Sequence, residues 1–114
     1  MDARHAAERV AQLAADKKAK DVVVLGMAGV TIVADYFVIA SAGNPNHARA
    51  VADAVAEGMS EAGQPFRHQE GYREGRWILQ DYGGVLFHCF LEDVRRAFDL
   101  ERLWGDAQRV AVLP

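Results

Sequence analysis

The apolar positions of this chain switch between helical and strand spacing, and the switches outline its elements. Ala6, Ala7, Val10, Leu13 and Ala14 form one stripe of a predicted helix that starts after Asp2, a good N-cap, and runs to Lys18. Lys17, Lys18 and Lys20 fall at the end where cations suit the helix dipole and read as a solvated terminus. Asp21-Val22-Val23-Val24-Leu25 is a short β-branched run, as expected of a strand buried on both faces. Gly26 to Gly29 punctuate it, and residues 31–35 fit a helical turn or a linker equally well. Tyr36 to Ala42 is a second buried strand, stopped by Gly43-Asn44-Pro45-Asn46. Asn44 suits the N-cap and Pro45 the first turn of a second helix, His47 to Ala62, with Val51, Ala54, Val55 and Met59 as its stripe. Gly63 and Pro65 end it, and Phe66 to Gln69 reads as a third strand.

Arg76 to Tyr82 and Val85 to Leu91 are two more strand patterns, joined by Gly83-Gly84. A two-residue Gly-Gly loop is a strong hairpin signal, because both turn positions can take φ > 0. The loop fixes a register in which Trp77 faces Phe90, Leu79 faces His88, Asp81 faces Leu86 and Tyr82 faces Val85. Alternation then puts Trp77, Leu79, Asp81, Leu86, His88 and Phe90 on one face. Ile78, Gln80, Tyr82, Val85, Phe87 and Cys89 take the other. Glu92 to Phe98 reads as a short helix, and Leu100 to Trp104 adds a turn. Val110 to Leu113 is an apolar tail that pairs, packs or frays. The pattern thus predicts about five strands.

Composition narrows the class. The 114 residues fit one domain, 1–114, and a 51% hydrophobic, 25% charged composition is that of a globular chain. The net charge of −3 argues against a protein that grips nucleic-acid phosphates, and suits a basic partner. No stretch approaches a membrane span, the first ten residues carry no signal-peptide plan, and the single cysteine forms no internal disulfide. A reduced, cytoplasmic setting is expected.

Candidate chemistry is sparse. His47, His68, His88 and Cys89 lack the spacing of a metal site, and adjacent strand residues such as His88 and Cys89 point to opposite faces. Cys89 reads as a small core residue. Gly26-Met27-Ala28-Gly29 matches no phosphate-binding loop, and Ser41-Ala42-Gly43 no nucleophile elbow. Asp35 and Asp81 could act as bases, but a turn cap and a hairpin-end hydrogen bonder are the plainer roles. No catalytic residue, metal or cofactor is expected. The informative feature is the hairpin face, where Trp77, Leu79, Asp81 and His88 mix large apolar groups with two polar ones. It reads either as a recognition surface or as core covered by the C-terminal helix.

Several motifs in order resemble one family. Asp35-Tyr36-Phe37-Val38-Ile39-Ala40-Ser41, then His47, Ala52-Asp53 and Val55, resemble the first signature of the ribosomal silencing factor (RsfS, or Iojap) family. Glu70-Gly71, Trp77-Ile78-Leu79, Asp81-Tyr82-Gly83, Val85 and His88-Cys89-Phe90 resemble its second block. Arg95, Phe98, Leu100-Glu101 and Leu103-Trp104-Gly105-Asp106-Ala107 resemble its close. The likeness spans nearly the whole chain. Four positions depart from it: Gly84 stands where the family usually has Asp, Asn46 where it has Arg, Ala42 where it has Gly, and Phe98 where it has Tyr. The resemblance implies an α/β (α+β) fold with a mixed sheet, similar to nucleotidyltransferases but not an enzyme. It implies binding to the large ribosomal subunit through ribosomal protein L fourteen, a block on small-subunit joining, lowered translation under nutrient limitation, and a homodimer in some members. On that reading the contact residues are Trp77, Leu79, Asp81 and His88, with Glu70, Tyr82 and Trp104 nearby. Trp104 has a competing role as a plug for the C-terminal turn. Direct sequence-specific nucleic-acid binding is not expected. The alternatives are a nucleotidyltransferase-fold enzyme, which lacks its Gly-Ser loop and Asp-x-Asp pair here, and a dimerisation module with another client.

Overall fold

The structure, a computed structural model, describes residues 1–99, 102, 105 and 107–113, with Val112 described by its backbone alone. Its elements run α1 (Ala3–Asp16), β1 (Lys20–Gly26), β2 (Tyr36–Ala42), α2 (Pro45–Glu61), β3 (His68–Glu70), β4 (Trp77–Asp81), β5 (Val85–Leu91), α3 (Glu92–Phe98) and β6 (Gln108–Leu113). The sheet order is β3-β4-β5-β2-β1-β6. β2 and β5 pair parallel and every other neighbouring pair is antiparallel, so the sheet is mixed as expected.

Local signals set most boundaries. Asp2 caps α1 by accepting from the His5 backbone N–H at 2.8 Å, and Asn44 caps α2 by accepting from His47 N–H at 2.8 Å. Pro45 occupies the first turn of α2, where its missing N–H costs nothing. α1 ends at Asp16, two residues before the expected Lys18, which sits outside the helix at φ 69. Residues 31–35, undecided between helical turn and linker, are bends and irregular backbone that follow a turn at 28–30, closed by Met27 O accepting from Val30 and Thr31 N–H. The apolar tail pairs: β6 lies antiparallel on β1 and adds a sixth strand to the five expected. Its backbone gains a ladder there that a fraying tail would lack.

The two sheet faces carry two separate cores. α1 and α2 cover one face, burying Val10, Ala14, Val51, Val55 and Met59 against Val22, Val38, Ile78, Phe87 and Cys89. On the other, Val23, Leu25, Phe37, Ile39, Leu86 and Phe90 pack with Val94 of α3 and with Met27 and Ala34 of the β1–β2 connection. α3 is placed by Arg95, whose Nη1 donates to Asp21 O at 2.8 Å and to Ser41 Oγ at 2.9 Å. Three residues further along α3 stands Phe98, which lies over the hairpin.

Candidate interaction surface

The β4–β5 register is the one the Gly-Gly loop predicts. Trp77 pairs with Phe90, Leu79 with His88 and Asp81 with Leu86. Of the two loop residues only Gly83 takes φ > 0, at 91°, and the turn closes with Tyr82 N–H donating to Val85 O at 2.9 Å. β3 then adds Glu70 opposite Leu79 and His68 opposite Asp81, so both join the same face. The α3 side of the sheet therefore carries Trp77, Leu79 and Asp81, all half-buried, beside the exposed His68 and Glu70. His68 Nε2 lies 3.5 Å from Glu70 Oε1, in water, where such a pair contributes little.

Trp77 is the centre of an aromatic group. Its ring centroid lies 4.8 Å from Phe90, 5.0 Å from Phe98 and 6.0 Å from His88. His88 in turn stacks on Phe90 at 5.9 Å and meets Phe37 at 4.9 Å. Each such pair adds about 0.5–1.5 kcal/mol beyond area burial. Neither sequence alternative for Trp77 is complete: α3 covers part of it through Phe98, and the rest stays open. Phe98, 56% exposed, extends the apolar surface and is absent from the residues the sequence nominates. Its signal lies in the connection, because α3 follows β5 without a loop and must fold back over the hairpin.

Two nominated residues are corrected as direct contacts. His88 is only 5% exposed and lies beneath Trp77, so it presents no ring edge to a partner. Its Nδ1 accepts from Trp77 Nε1–H at 3.2 Å, and burial pushes its pKa down to about 4. Tyr82 is 4% exposed and faces α2, on the opposite side of the sheet from Trp77, as alternation requires. Its hydroxyl donates to Gln80 Oε1 at 2.8 Å, while Gln80 Nε2 donates to Ala52 O and Gln69 Oε1. That buried network ties β4 to β3 and α2. Asp81 accepts from Gly83 N–H at 2.7 Å, the hairpin-end role, and remains half-exposed. Trp104 lies outside the described residues. Cys89 is fully buried, and burial raises its thiol to about 12. Asp35 is exposed beside the hairpin turn, its backbone N–H donating to Gly84 O at 2.9 Å. Among the described residues no three His, Cys, Asp or Glu side chains group as metal ligands, and no helix is long and apolar enough to cross a membrane.

Together these features define a class: a small α+β domain with helices on one sheet face and a half-open aromatic second face. The particular family follows from comparison. Residues 1–113 match the family described as ribosomal silencing factor during starvation, RsfS. A ribosomal silencing factor of Bacillus subtilis is 40% identical over 92 residues, 81% of this chain and 78% of that protein. One from Halalkalibacterium halodurans is 40% identical over 95 residues, 83% of this chain and 81% of that protein. A crystal structure of a Chromobacterium violaceum protein superposes with a TM-score of 0.90 at 28% identity, covering 100% of this chain and 94% of that one. The chain belongs to the ribosomal silencing factor family.

Proposed function

We propose that this protein binds the large ribosomal subunit through ribosomal protein L fourteen and, from that seat, blocks joining of the small subunit and lowers translation when nutrients are scarce. The reading is of a non-enzymatic, cytoplasmic obstacle: blocking a joining surface takes a footprint and some volume, and no reaction. Self-association as a homodimer belongs to the same reading. The observation that carries the contact site is the half-exposed Trp77, framed by Phe98 and Leu79 and bordered by Glu70 and Asp81. A large aromatic anchor with a carboxylate rim is what a basic protein partner offers complementary groups to. Asp81 and Glu70 would accept from its Lys or Arg side chains.

The test is co-sedimentation with purified large and small subunits, and pull-down of L fourteen alone. Wild type should pellet with large subunits only, and Trp77→Ala should lose at least tenfold in affinity while keeping its circular dichroism and melting temperature, a loss in the usual range for a hot-spot aromatic of about 1.4 kcal/mol or more. Equal pelleting of a folded Trp77→Ala protein would remove this face from the interface.

A further inference from the structure

The polar group that defines the open face most tightly is one that a partner cannot reach. In the hairpin register His88 stands opposite Leu79, yet its ring nitrogen serves the diagonal neighbour, Trp77. An indole Nε1–H only donates. His88 Nδ1 must therefore be the bare nitrogen, and in a neutral ring the proton sits on Nε2. That Nε2 is buried and has no hydrogen-bond partner among the described residues. The cost falls on the folded state, and the surroundings do not recover it: Phe37 and Phe90 pack against the imidazole as they would against any aromatic ring. A phenyl ring there would keep the stacking and remove the orphaned Nε2–H, at the cost of leaving the Trp77 Nε1–H without its acceptor. The reason for a histidine thus lies in the bond to Trp77 and not in its own packing.

Phe90 and Phe98 lie against the indole at 4.8 and 5.0 Å and restrict the plane of its ring. Neither distinguishes the ring from its flipped orientation, because both contacts are apolar. The hydrogen bond does, since only one orientation brings Nε1–H within 3.2 Å of His88 Nδ1. We propose that His88 is a positioning residue of the docking face, acting from beneath the surface to hold the Trp77 indole in the single orientation that meets the partner. The inference rests on the docking role of Trp77 proposed above. A side chain ordered beforehand does not have to be ordered on binding, and the affinity gains accordingly.

The experiment uses the full chain, large ribosomal subunits as the probe, and nitrogen-15 NMR of the indole. Wild type should show slow exchange of the Trp77 Nε1–H, assigned by its loss in Trp77→Phe, and a coupling across the hydrogen bond to His88 Nδ1. His88→Phe should fold, lose that protection and bind subunits about tenfold more weakly. His88→Asn, whose Oδ1 can accept near the place of Nδ1, should regain both. A purely structural role would move stability without this pattern of loss and rescue. The inference is overturned if His88→Phe binds like wild type while Trp77→Ala does not, or if wild type shows neither protection nor coupling. The last measurement decides the matter even where the Phe variant does not fold. Wild-type binding by Trp77→Ala would instead overturn the docking reading itself.

Discussion

His88 and Cys89 are consecutive on β5, and Cys89 enters the core under α1 and α2 while His88 packs against Phe37 and Phe90 on the other face. Burial penalises the charged form of each, lowering the imidazole to about 4 and raising the thiol to about 12. For His88 the consequence is a pH-dependent stability of definite sign. Above its ordinary value of 6.5 the ring is neutral in both folded and unfolded chains, and the group contributes nothing pH-dependent. As the pH falls from about 6.5 to about 4, the unfolded chain takes up a proton that the folded chain refuses, so stability declines with acidification. Below about 4 both states are protonated and the effect levels off. Between pH 7 and pH 4.5 this one group should remove roughly 2–3 kcal/mol. Urea unfolding of wild type and His88→Phe at the two pH values isolates it, because every carboxylate is common to both proteins. The variant should lose less stability on acidification, and equal losses would show that His88 titrates normally. Alternation placed the residue on the right face but says nothing of depth. Depth comes from what lies on top, and here Trp77 and α3 lie on top.

The β4–β5 hairpin carries the candidate face, and its turn holds Gly84 where the family resemblance leads one to expect Asp. A Cβ built at Gly84 would stand 3.1 Å from Asp35 Oδ2 and 3.1 Å from the Ala3 Cβ. An Asp at this position would therefore bring a second carboxylate against Asp35 and crowd the start of α1. Gly84→Asp should lower stability by about 1 kcal/mol, and Asp35→Asn in the same protein should recover part of it, since contacting charges couple. Gly84→Ala measures the crowding alone. A double-mutant cycle of thermal melts checks this, and additive effects would assign the whole cost to Ala3. The hairpin itself was legible because Gly83-Gly84 and strict alternation agree on one register. Tyr36–Ala42 and Val85–Leu91 were legible for a related reason, as apolar runs with sharp stops. β6 was not, because Gln108 and Arg109 give no strand signal and the pairing comes from β1, far away in sequence. The face shared by Trp77, Leu79 and Asp81 was legible from alternation, but the depth of His88 beneath it and its cover by Phe98 were not. Beyond the direct β5–α3 connection, Arg95 pins α3 to Asp21 and Ser41 and so helps hold Phe98 against Trp77, a long-range bond that the sequence does not announce.

At the scale of the whole molecule, charge and surface chemistry have to be reconciled with a partner particle that is mostly RNA. A net charge of −3 repels phosphate, and on the proposed docking face Asp81 and Glu70 would sharpen that repulsion. The same charges would attract a basic protein patch, so on the proposed reading the field favours the protein component of the particle over its surroundings. Such selection acts during approach, at distances that salt screens over about 10 Å at 0.1 M. The proposed apolar contact at Trp77, Leu79 and Phe98 would form after approach and be nearly indifferent to salt. Association of the protein with L fourteen should therefore slow several-fold between low and physiological ionic strength, while dissociation stays close to constant. Asp81→Lys should lower the association rate at low salt and flatten its salt dependence, and Leu79→Ala should act mainly on dissociation. Stopped-flow mixing across a salt series separates the two rates. If the association rate of wild type does not change with salt, the acidic rim plays no part in finding the partner, and the apolar anchor alone must account for the choice.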